Sequence, residues 1–219
     1  MLMFFMKAGI LGSGDVGLKL GDAFVSLRHE VKIGTRNTAK EKIMTWTKKH
    51  GEKASAGSFE EAASFGEVIV LATLWAATFD VIKLANPKNF SRKVVIDVTN
   101  PLDFSKGMPP ALALGHANSA GETVQRLLPD ANVVKAFNTV GNPHFFHLDF
   151  PGGPPTMFIC GNDIEAKKLV TNILTDFGWE TIDIGGIELS RLLEPLAMLW
   201  ITYYFKTGTG NHAFKLLRK

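Results

Sequence analysis

Short runs of apolar residues alternate with longer amphipathic stretches along most of the chain. The short runs have the length of strands, and most are continuously apolar, which is typical of strands covered on both faces. The stretches between them carry apolar residues at helical spacing. The predicted strands are Lys7–Leu11, Glu30–Gly34, Glu67–Thr73, Lys93–Val98, Asn132–Asn138, Thr156–Cys160 and Glu180–Ile184. The predicted helices are Asp15–Leu27, Ala39–Lys49, Phe59–Ser64, Ala76–Ala85, Ala120–Leu128, Ile164–Phe177 and Ile187–Lys206.

A glycine-rich turn follows the first predicted strand. Residues 12–17 read GSGDVG, a G-x-G-x-x-G pattern that lies between an apolar strand and an amphipathic helix. In that context Gly12 permits the tight turn, Gly14 lets a pyrophosphate approach the backbone, and Gly17 allows close packing of helix on strand. The free N–H groups of the helix then face the phosphates. The alternative is a glycine turn that binds no ligand.

Alternation of strands and helices, together with this turn, predicts an α/β fold of the Rossmann type with a doubly wound, mainly parallel sheet. A cluster of breakers, Phe150–Pro155, interrupts the alternation. We expect the domain junction between about residue 141 and this cluster. The prediction is a Rossmann domain over residues 1–142 and a small C-terminal α/β extension over residues 143–219, which closes a cleft.

The tip of the second predicted strand indicates which dinucleotide binds. NAD sites place a carboxylate there to accept hydrogen bonds from the ribose 2′-hydroxyl. Residues 31–37 read VKIGTRN and contain no acid. Thr35 and Arg36 offer a hydroxyl and a guanidinium, and Lys40 adds a second positive charge. The sequence therefore favours NADP over NAD, with Arg36 as a solvated loop residue the alternative.

The ends of the later strands supply further candidate contacts, because ligands of doubly wound sheets lie across the carboxyl ends of the strands. Asn100 and Asn138 follow apolar strands directly, where each side chain either binds the cofactor or forms a local Asx-turn. Trp75 either stacks on a ring or covers the core. The whole set is Thr73, Leu74, Trp75, Asn100, Pro101, Asn138, Thr139 and Asn142.

Composition narrows the function classes. The chain has 219 residues, 46% hydrophobic, with a formal charge of +3 and no concentrated basic stripe, so we expect no nucleic-acid partner. The apolar run Leu196–Phe205 is shorter than the about 20 residues that span a bilayer, so it is read as a buried helix or a subunit contact. The single cysteine, Cys160, reads as a small buried hydrophobe and favours the cytoplasm. Near His144 and His147 only Asp149 is an acidic or cysteine residue at ligand spacing, so no metal is expected.

Several motifs occur in a specific order along the chain, namely Gly12–Gly17, Gly34–Arg36, Thr73–Trp75, Ile159–Asp163, Ser190–Glu194 and Asn211–Leu217. In this order and spacing they resemble the coenzyme F420-dependent NADP oxidoreductase family almost end to end. The resemblance implies that NADPH and a deazaflavin or flavin meet in the cleft, that a hydride passes between them, and that the protein is a homodimer. It places the pyrophosphate on Ser13, Gly14, Asp15 and Val16, and the 2′-phosphate on Thr35, Arg36 and Lys40.

One segment departs from that pattern. Lys135–Asn138 is more similar to the NADPH-oxidising domain of the mammalian metalloreductases, which use an ordinary flavin. The acceptor therefore stays open between coenzyme F420 and a flavin such as FMN or FAD. Dehydrogenases of 3-hydroxy acids and pyrroline carboxylate reductases share the first half but continue into a large helical domain, for which the remaining chain is too short. A non-catalytic NADPH sensor is the other alternative.

The expected chemistry needs little acid–base machinery. Hydride transfer between stacked rings requires close ring carbons and exclusion of water, and the sequence contains no convincing catalytic triad. Asn138 and Thr139 are expected to position the ring. Glu188, Arg191 and Glu194 share one helix face by their spacing, either as a surface ladder of ion pairs or with Arg191 facing the cleft.

Overall fold

A large, mainly parallel β-sheet runs through the computed structural model, which describes residues 5–219. The strands are β1 (Lys7–Leu11), β2 (Glu30–Gly34), β3 (Ala54–Gly57), β4 (Val68–Leu71), β5 (Val94–Asp97), β6 (Leu102–Asp103), β7 (Ala111–Leu112), β8 (Asn132–Lys135), β9 (Thr156–Gly161) and β10 (Glu180–Asp183). The eight-stranded sheet has the order β10-β9-β8-β5-β4-β1-β2-β3, and β6 and β7 form a separate hairpin. From β3 to β8 all neighbours are parallel, in the order of a Rossmann sheet.

The C-terminal extension continues this sheet. Strand β9 pairs antiparallel with β8, with Cys160 opposite Lys135, and β10 pairs parallel with β9. The predicted fold class, a mainly parallel Rossmann sheet with a small C-terminal α/β extension, is confirmed. The first four residues of the predicted domain 1–142 lie outside the described residues.

Helices cover both faces of the sheet. They are α1 (Asp15–Ser26), α2 (Glu41–His50), α3 (Phe59–Phe65), α4 (Trp75–Leu84), α5 (Ala120–Leu127), α6 (Ile164–Phe177) and α7 (Ser190–Thr207). Buried side chains of α1, α2 and α6 form one apolar cluster with the sheet. Those of α3, α4, α5 and the start of α7 form a second cluster on the opposite face. The result is a three-layer α/β/α arrangement.

Three aromatic side chains join the extension to the first helix. Phe177 of α6 packs edge-on against Phe24 of α1, with ring centroids 5.3 Å apart, and lies 5.8 Å from Phe137. All three are almost completely buried. Truncating such a side chain to alanine costs about 3–5 kcal/mol. The extension is therefore packed into the same core as the first half of the chain.

Helix α7 changes character along its length. Its first half is buried through Leu193 and Ala197, whereas Leu199 and Tyr203 are 59% and 50% exposed. Of the two alternatives for Leu196–Phe205, a buried helix does not describe this exposed half. Within residues 5–219, the helices are all too short or too polar to span a bilayer.

Three short strands, β3, β6 and β7, are absent from the sequence prediction. Strand β3 reads ASAG, and its small side chains give no hydrophobic signal although it forms an edge of the sheet. The strands β6 and β7 have only two residues each. All seven predicted strands occur, with ends shifted by a few residues.

Cys160 is the side chain whose burial gives a direct chemical test of this packing. It is fully buried, its Sγ lies 3.3 Å from Ser190 Oγ, and burial raises the pKa of the thiol to about 11. At pH 8 only about one thiol in a thousand would be the reactive thiolate. We expect mass spectrometry to show negligible iodoacetamide labelling of the folded protein and complete labelling in guanidinium. Labelling of the folded protein at the rate of a free cysteine would contradict this packing.

Candidate functional site

The three glycines of the turn after β1 occupy different environments. Gly12 has φ +133°, and a Cβ there would collide with the carbonyl oxygen of Ala72. A Cβ on Gly17 would collide with the carbonyl oxygen of Gly12, so α1 packs as closely on the turn as glycine allows. Gly14 has no atom within 4 Å of the position of its Cβ. Two glycines thus serve close packing, and the third leaves open space.

The open space at Gly14 lies at the N-terminus of α1. Gly14 is the N-cap, and no side chain caps the helix. The first N–H groups of a helix have no partners within the helix and carry partial positive charge. Asp15, in the first turn, forms an ion pair with Lys42 of α2, which offsets its negative charge. The turn can therefore accept an anionic group from solvent.

The tip of β2 lies beside this turn. Thr35 is 5% exposed, and its Oγ1 lies 3.0 Å from Ser13 Oγ. The backbone N–H of Asn37 donates to Thr35 Oγ1 at 3.3 Å, which fixes the loop after the strand. Arg36 and Lys40 are exposed, and Arg36 forms no ion pair within the described part of the chain. The structure thus brings Ser13, Thr35 and two cations to one edge of the sheet.

The end of β4 supplies a second wall. The Thr73 hydroxyl lies 2.8 Å from that of Thr78, and Leu74 is 75% exposed at the start of α4. Trp75 is half-buried, packs partly against the core on that face, and meets the edge of Phe79 at 5.5 Å. Trp75 thus contacts the core, and its stacking on a ring stays a prediction.

Two amide side chains meet between the ends of β5 and β8. Asn100 Nδ2 donates to the carbonyl oxygen of Asn138 at 2.9 Å, and Asn138 Nδ2 donates to Asn100 Oδ1 at 3.1 Å. Asn138 Nδ2 also donates to the carbonyl oxygen of Leu193 at 3.0 Å. Neither side chain forms the local Asx-turn considered above. Asn138 Oδ1 is buried and has no hydrogen-bond partner among residues 5–219.

The neighbours of this pair differ in their exposure to solvent. Pro101 is buried, and its carbonyl oxygen accepts from Ala113. Thr139 is 2% exposed, and its hydroxyl contacts Met157 Sδ at 3.8 Å. Asn142 is half-buried and begins a short 3-10 helix.

A fully buried ionic cluster, which the sequence analysis missed, lies directly below the amide pair. Lys135 Nζ is 2.9 Å from Asp97 Oδ2 and 3.0 Å from Glu194 Oε1. Burial alone would lower the pKa of Lys135, but the two carboxylates outweigh it and raise that pKa above its ordinary value. The signal was available, since Asp97 and Lys135 are charges inside strands that otherwise read as apolar.

Arg191 pairs with a residue that neither sequence alternative, a surface ladder or a side chain facing the cleft, names. Its guanidinium donates to both carboxylate oxygens of Glu122 in α5, with Nε at 2.8 Å from Oε2. This ion pair lowers the pKa of Glu122 below its ordinary value. Glu194, expected on the same helix face, is 1% exposed. Within the described chain, no group of three His, Cys, Asp or Glu side chains is arranged to hold a metal ion.

The sequence is similar to one protein family and to several of its characterised relatives. Residues 7–101 match the sequence profile of a family described as coenzyme F420-dependent NADP oxidoreductase. An F420-dependent NADP reductase of Methanocaldococcus jannaschii is 32% identical, over 94% of this chain and 96% of that protein. The rat metalloreductase STEAP3 is 30% identical over 88% of this chain, which spans only 37% of that longer protein.

A solved structure has the same fold over nearly the whole chain. A crystal structure from Arthrobacter sp. FB24, provisionally described as an F420-dependent NADP reductase, superposes with a TM-score of 0.90 at 35% identity. The alignment covers 97% of this chain and 100% of that one. The glycine turn, the acid-free tip of β2 and these likenesses agree: the chain belongs to the coenzyme F420-dependent NADP oxidoreductase family and is an NADP-dependent oxidoreductase.

Proposed function

We propose that the chain binds NADPH across the carboxyl edge of the sheet and passes its hydride to coenzyme F420 or, as the second candidate, to a flavin. The observation that carries the proposal is the open space over Gly14 beside a strand tip that has no acid and carries two cations, Arg36 and Lys40, which form no ion pair with residues 5–219. Relatives named F420-dependent NADP reductases match over nearly their whole length, which favours the deazaflavin. The likeness to STEAP3 keeps the flavin as the alternative.

The phosphates of NADPH fit the positive features of this edge. The pyrophosphate would lie over Gly14 and contact the backbone at Ser13, Asp15 and Val16, since Asp15 and Val16 begin α1 and Ser13 immediately precedes its N-cap. The 2′-phosphate would lie at the tip of β2, where Thr35 donates a hydroxyl and Arg36 and Lys40 donate charged N–H groups. No carboxylate at this tip would repel it.

The nicotinamide half would lie toward the ends of β5 and β8. Asn138 Oδ1 is an acceptor there without a partner in residues 5–219, and a hydrogen-bond donor of the ligand would satisfy it. Thr73, Leu74, Trp75, Pro101, Thr139 and Asn142 complete this wall. Bound NADPH supplies the hydride itself. The protein's own contribution is to hold the two rings about 3–3.5 Å apart and keep water away, so no proton-transfer residue is assigned.

Residues 143–219 are proposed to close the cleft over the acceptor. Trp200 of α7 packs against Gly141, and its ring stacks on His212 with centroids 4.5 Å apart. This aromatic pair joins the C-terminal tail to the loop after β8. We also propose a homodimer in which a second copy covers the exposed apolar half of α7, represented by Leu199 and Tyr203.

Arg36→Ala tests the 2′-phosphate site. We expect NADPH affinity, measured by calorimetry, to fall at least tenfold, which corresponds to about 1.4 kcal/mol for one charge-assisted contact. NADH affinity should be nearly unchanged because NADH has no 2′-phosphate. Lys83→Ala, which removes an exposed cation near the far end of α4, is the control and should change neither affinity. Equal losses for both cofactors with Arg36→Ala would refute this assignment.

Gly14→Ala tests the pyrophosphate site without disturbing the fold. A methyl group there meets no protein atom and needs no unusual backbone angle, so the melting temperature should stay within a few degrees. NADPH affinity should fall at least tenfold because the methyl occupies the space of the pyrophosphate. Gly152→Ala, also in open space, should change neither quantity, whereas Gly17→Ala should lower the melting temperature. Normal NADPH affinity in Gly14→Ala would exclude this binding mode.

An acceptor panel tests the reaction itself. Stopped-flow absorbance with NADPH and coenzyme F420, FMN, FAD or riboflavin should show oxidation of NADPH, fastest with coenzyme F420. Faster turnover with one of the flavins would select the alternative acceptor. Tight NADPH binding with no turnover against all four would instead support a non-catalytic sensor and overturn the proposed reaction.

A further inference from the structure

The ammonium group of Lys135 ties together three segments of the chain. Besides Asp97 of β5 and Glu194 of α7, it donates to the carbonyl oxygen of Thr99 at 2.6 Å. Glu194 in turn accepts from the backbone N–H of Ala120 at 3.0 Å, at the start of α5. The side chains of Lys135 and Asp97 have no exposed surface. One buried cation therefore fixes the relative positions of β5, β8 and α7.

The hydrogen bonds of the amide pair involve Asn100, Asn138 and the carbonyl oxygen of Leu193, and each of these residues lies next to β5, next to β8 or in α7. Thr99 immediately precedes Asn100, and Glu194 immediately follows Leu193, whose carbonyl oxygen accepts from Asn138. Asn138 itself follows the strand that contains Lys135. A shift of any one segment relative to Lys135 would thus change the hydrogen bonds that hold the Asn138 amide.

The backbone next to Asn138 also needs to be held in place. Phe137 has φ +61°, a left-handed conformation that a bulky side chain rarely adopts. Such a conformation persists only where surrounding contacts enforce it, and it is common at ligand sites. Phe137 N–H lies 3.3 Å from Met157 Sδ, and the ring is buried. The turn that presents Asn138 is therefore imposed by tertiary contacts, and the Lys135 cluster lies two residues before Phe137.

Stability alone does not account for this cluster. Two carboxylates share one ammonium in a fully buried position, and replacing such groups with apolar side chains is often neutral or stabilising. Across the described part of the chain, the network also leaves Asn138 Oδ1 without a hydrogen-bond partner, although buried acceptors are normally satisfied. A ligand donor at this oxygen would explain both features, because the acceptor must be held in place before the ligand arrives.

We propose that Lys135, Asp97 and Glu194 are positioning residues that fix the Asn138 amide so that its Oδ1 accepts a hydrogen bond from the carboxamide N–H of the nicotinamide. The ring of the cofactor is thereby held in one orientation toward the acceptor. This inference rests on the proposed NADP(H) binding.

The test compares three ligands by calorimetry. NADP⁺ carries the carboxamide, its 3-acetylpyridine analogue has a methyl group in place of the carboxamide NH₂, and 2′,5′-ADP lacks the nicotinamide half. Wild-type protein should bind NADP⁺ about tenfold more tightly than the analogue, the typical effect of one hydrogen bond to a buried acceptor. Asn138→Leu should reduce this preference to less than twofold and leave 2′,5′-ADP affinity unchanged.

The decisive variant removes the buried charges and keeps the side-chain volumes. Asp97→Asn/Lys135→Met/Glu194→Gln leaves no uncompensated charge, so the protein should fold. Its preference for NADP⁺ over the analogue should fall below threefold, with unchanged affinity for 2′,5′-ADP. The matched control is Lys167→Met/Asp183→Asn, which removes another lysine–aspartate pair, with 2.7 Å between Nζ and Oδ2, and should keep the full preference.

Two results would overturn the inference. The first is a folded triple variant that keeps the wild-type preference for NADP⁺ over the analogue. The second is a triple variant whose affinity for 2′,5′-ADP falls as much as its affinity for NADP⁺. If the triple variant does not fold, the single variant Glu194→Gln is tested instead. Its preference for NADP⁺ over the analogue should fall at least threefold, and an unchanged preference would contradict the positioning role. Failure of the wild-type protein to bind NADP⁺ and 2′,5′-ADP would contradict the proposed function instead.

Discussion

Helix α1 lies against the turn after β1 at a distance that only glycine permits. Side chains at Gly12 or Gly17 would collide with backbone carbonyl oxygens, so the helix begins directly at the edge of the sheet. This close approach leaves the first N–H groups of α1 open to solvent over Gly14. The tip of β2 lies beside them, since Ser13 and Thr35 are within hydrogen-bond distance. The close packing of α1 on the turn after β1 and the exposed N–H groups that could bind an anion thus both result from glycine at positions 12 and 17.

The second half of the site depends on charge buried under the sheet edge. Lys135 joins Asp97, Glu194 and the chain next to both amides, at a position without solvent. Removing one partner of such a cluster costs about 3–5 kcal/mol, a large part of the about 5–15 kcal/mol that stabilises a domain. The C-terminal extension contributes Glu194, so the extension and the first half of the chain share both a core and this ionic contact. Fold stability and the geometry around Asn138 are therefore coupled.

Much of the fold and the phosphate half of the candidate site followed from the sequence, because both depend on local signals. The glycine turn, the acid-free tip of β2 and the apolar strands are each readable within a few residues. Strand β3 was missed because Ala54–Gly57 carries only small side chains. The Lys135 cluster depends on β5 and β8 being neighbours, with Asp97 directly opposite Lys135, although α5 separates them along the chain. The ion pair between Arg191 and Glu122 likewise could not be predicted from local sequence, because it depends on the packing of α7 on α5.

The central claim is that backbone N–H groups at Gly14 and the cations at the tip of β2 together recognise the phosphates of NADPH. Calorimetric titration of the wild-type protein with NADPH and with NADH tests it most directly. The structure predicts one NADPH per chain, bound at least tenfold more tightly than NADH, because only NADPH carries the group that Arg36 and Lys40 would contact. No heat on adding NADPH, or equal affinity for the two cofactors, would contradict the account.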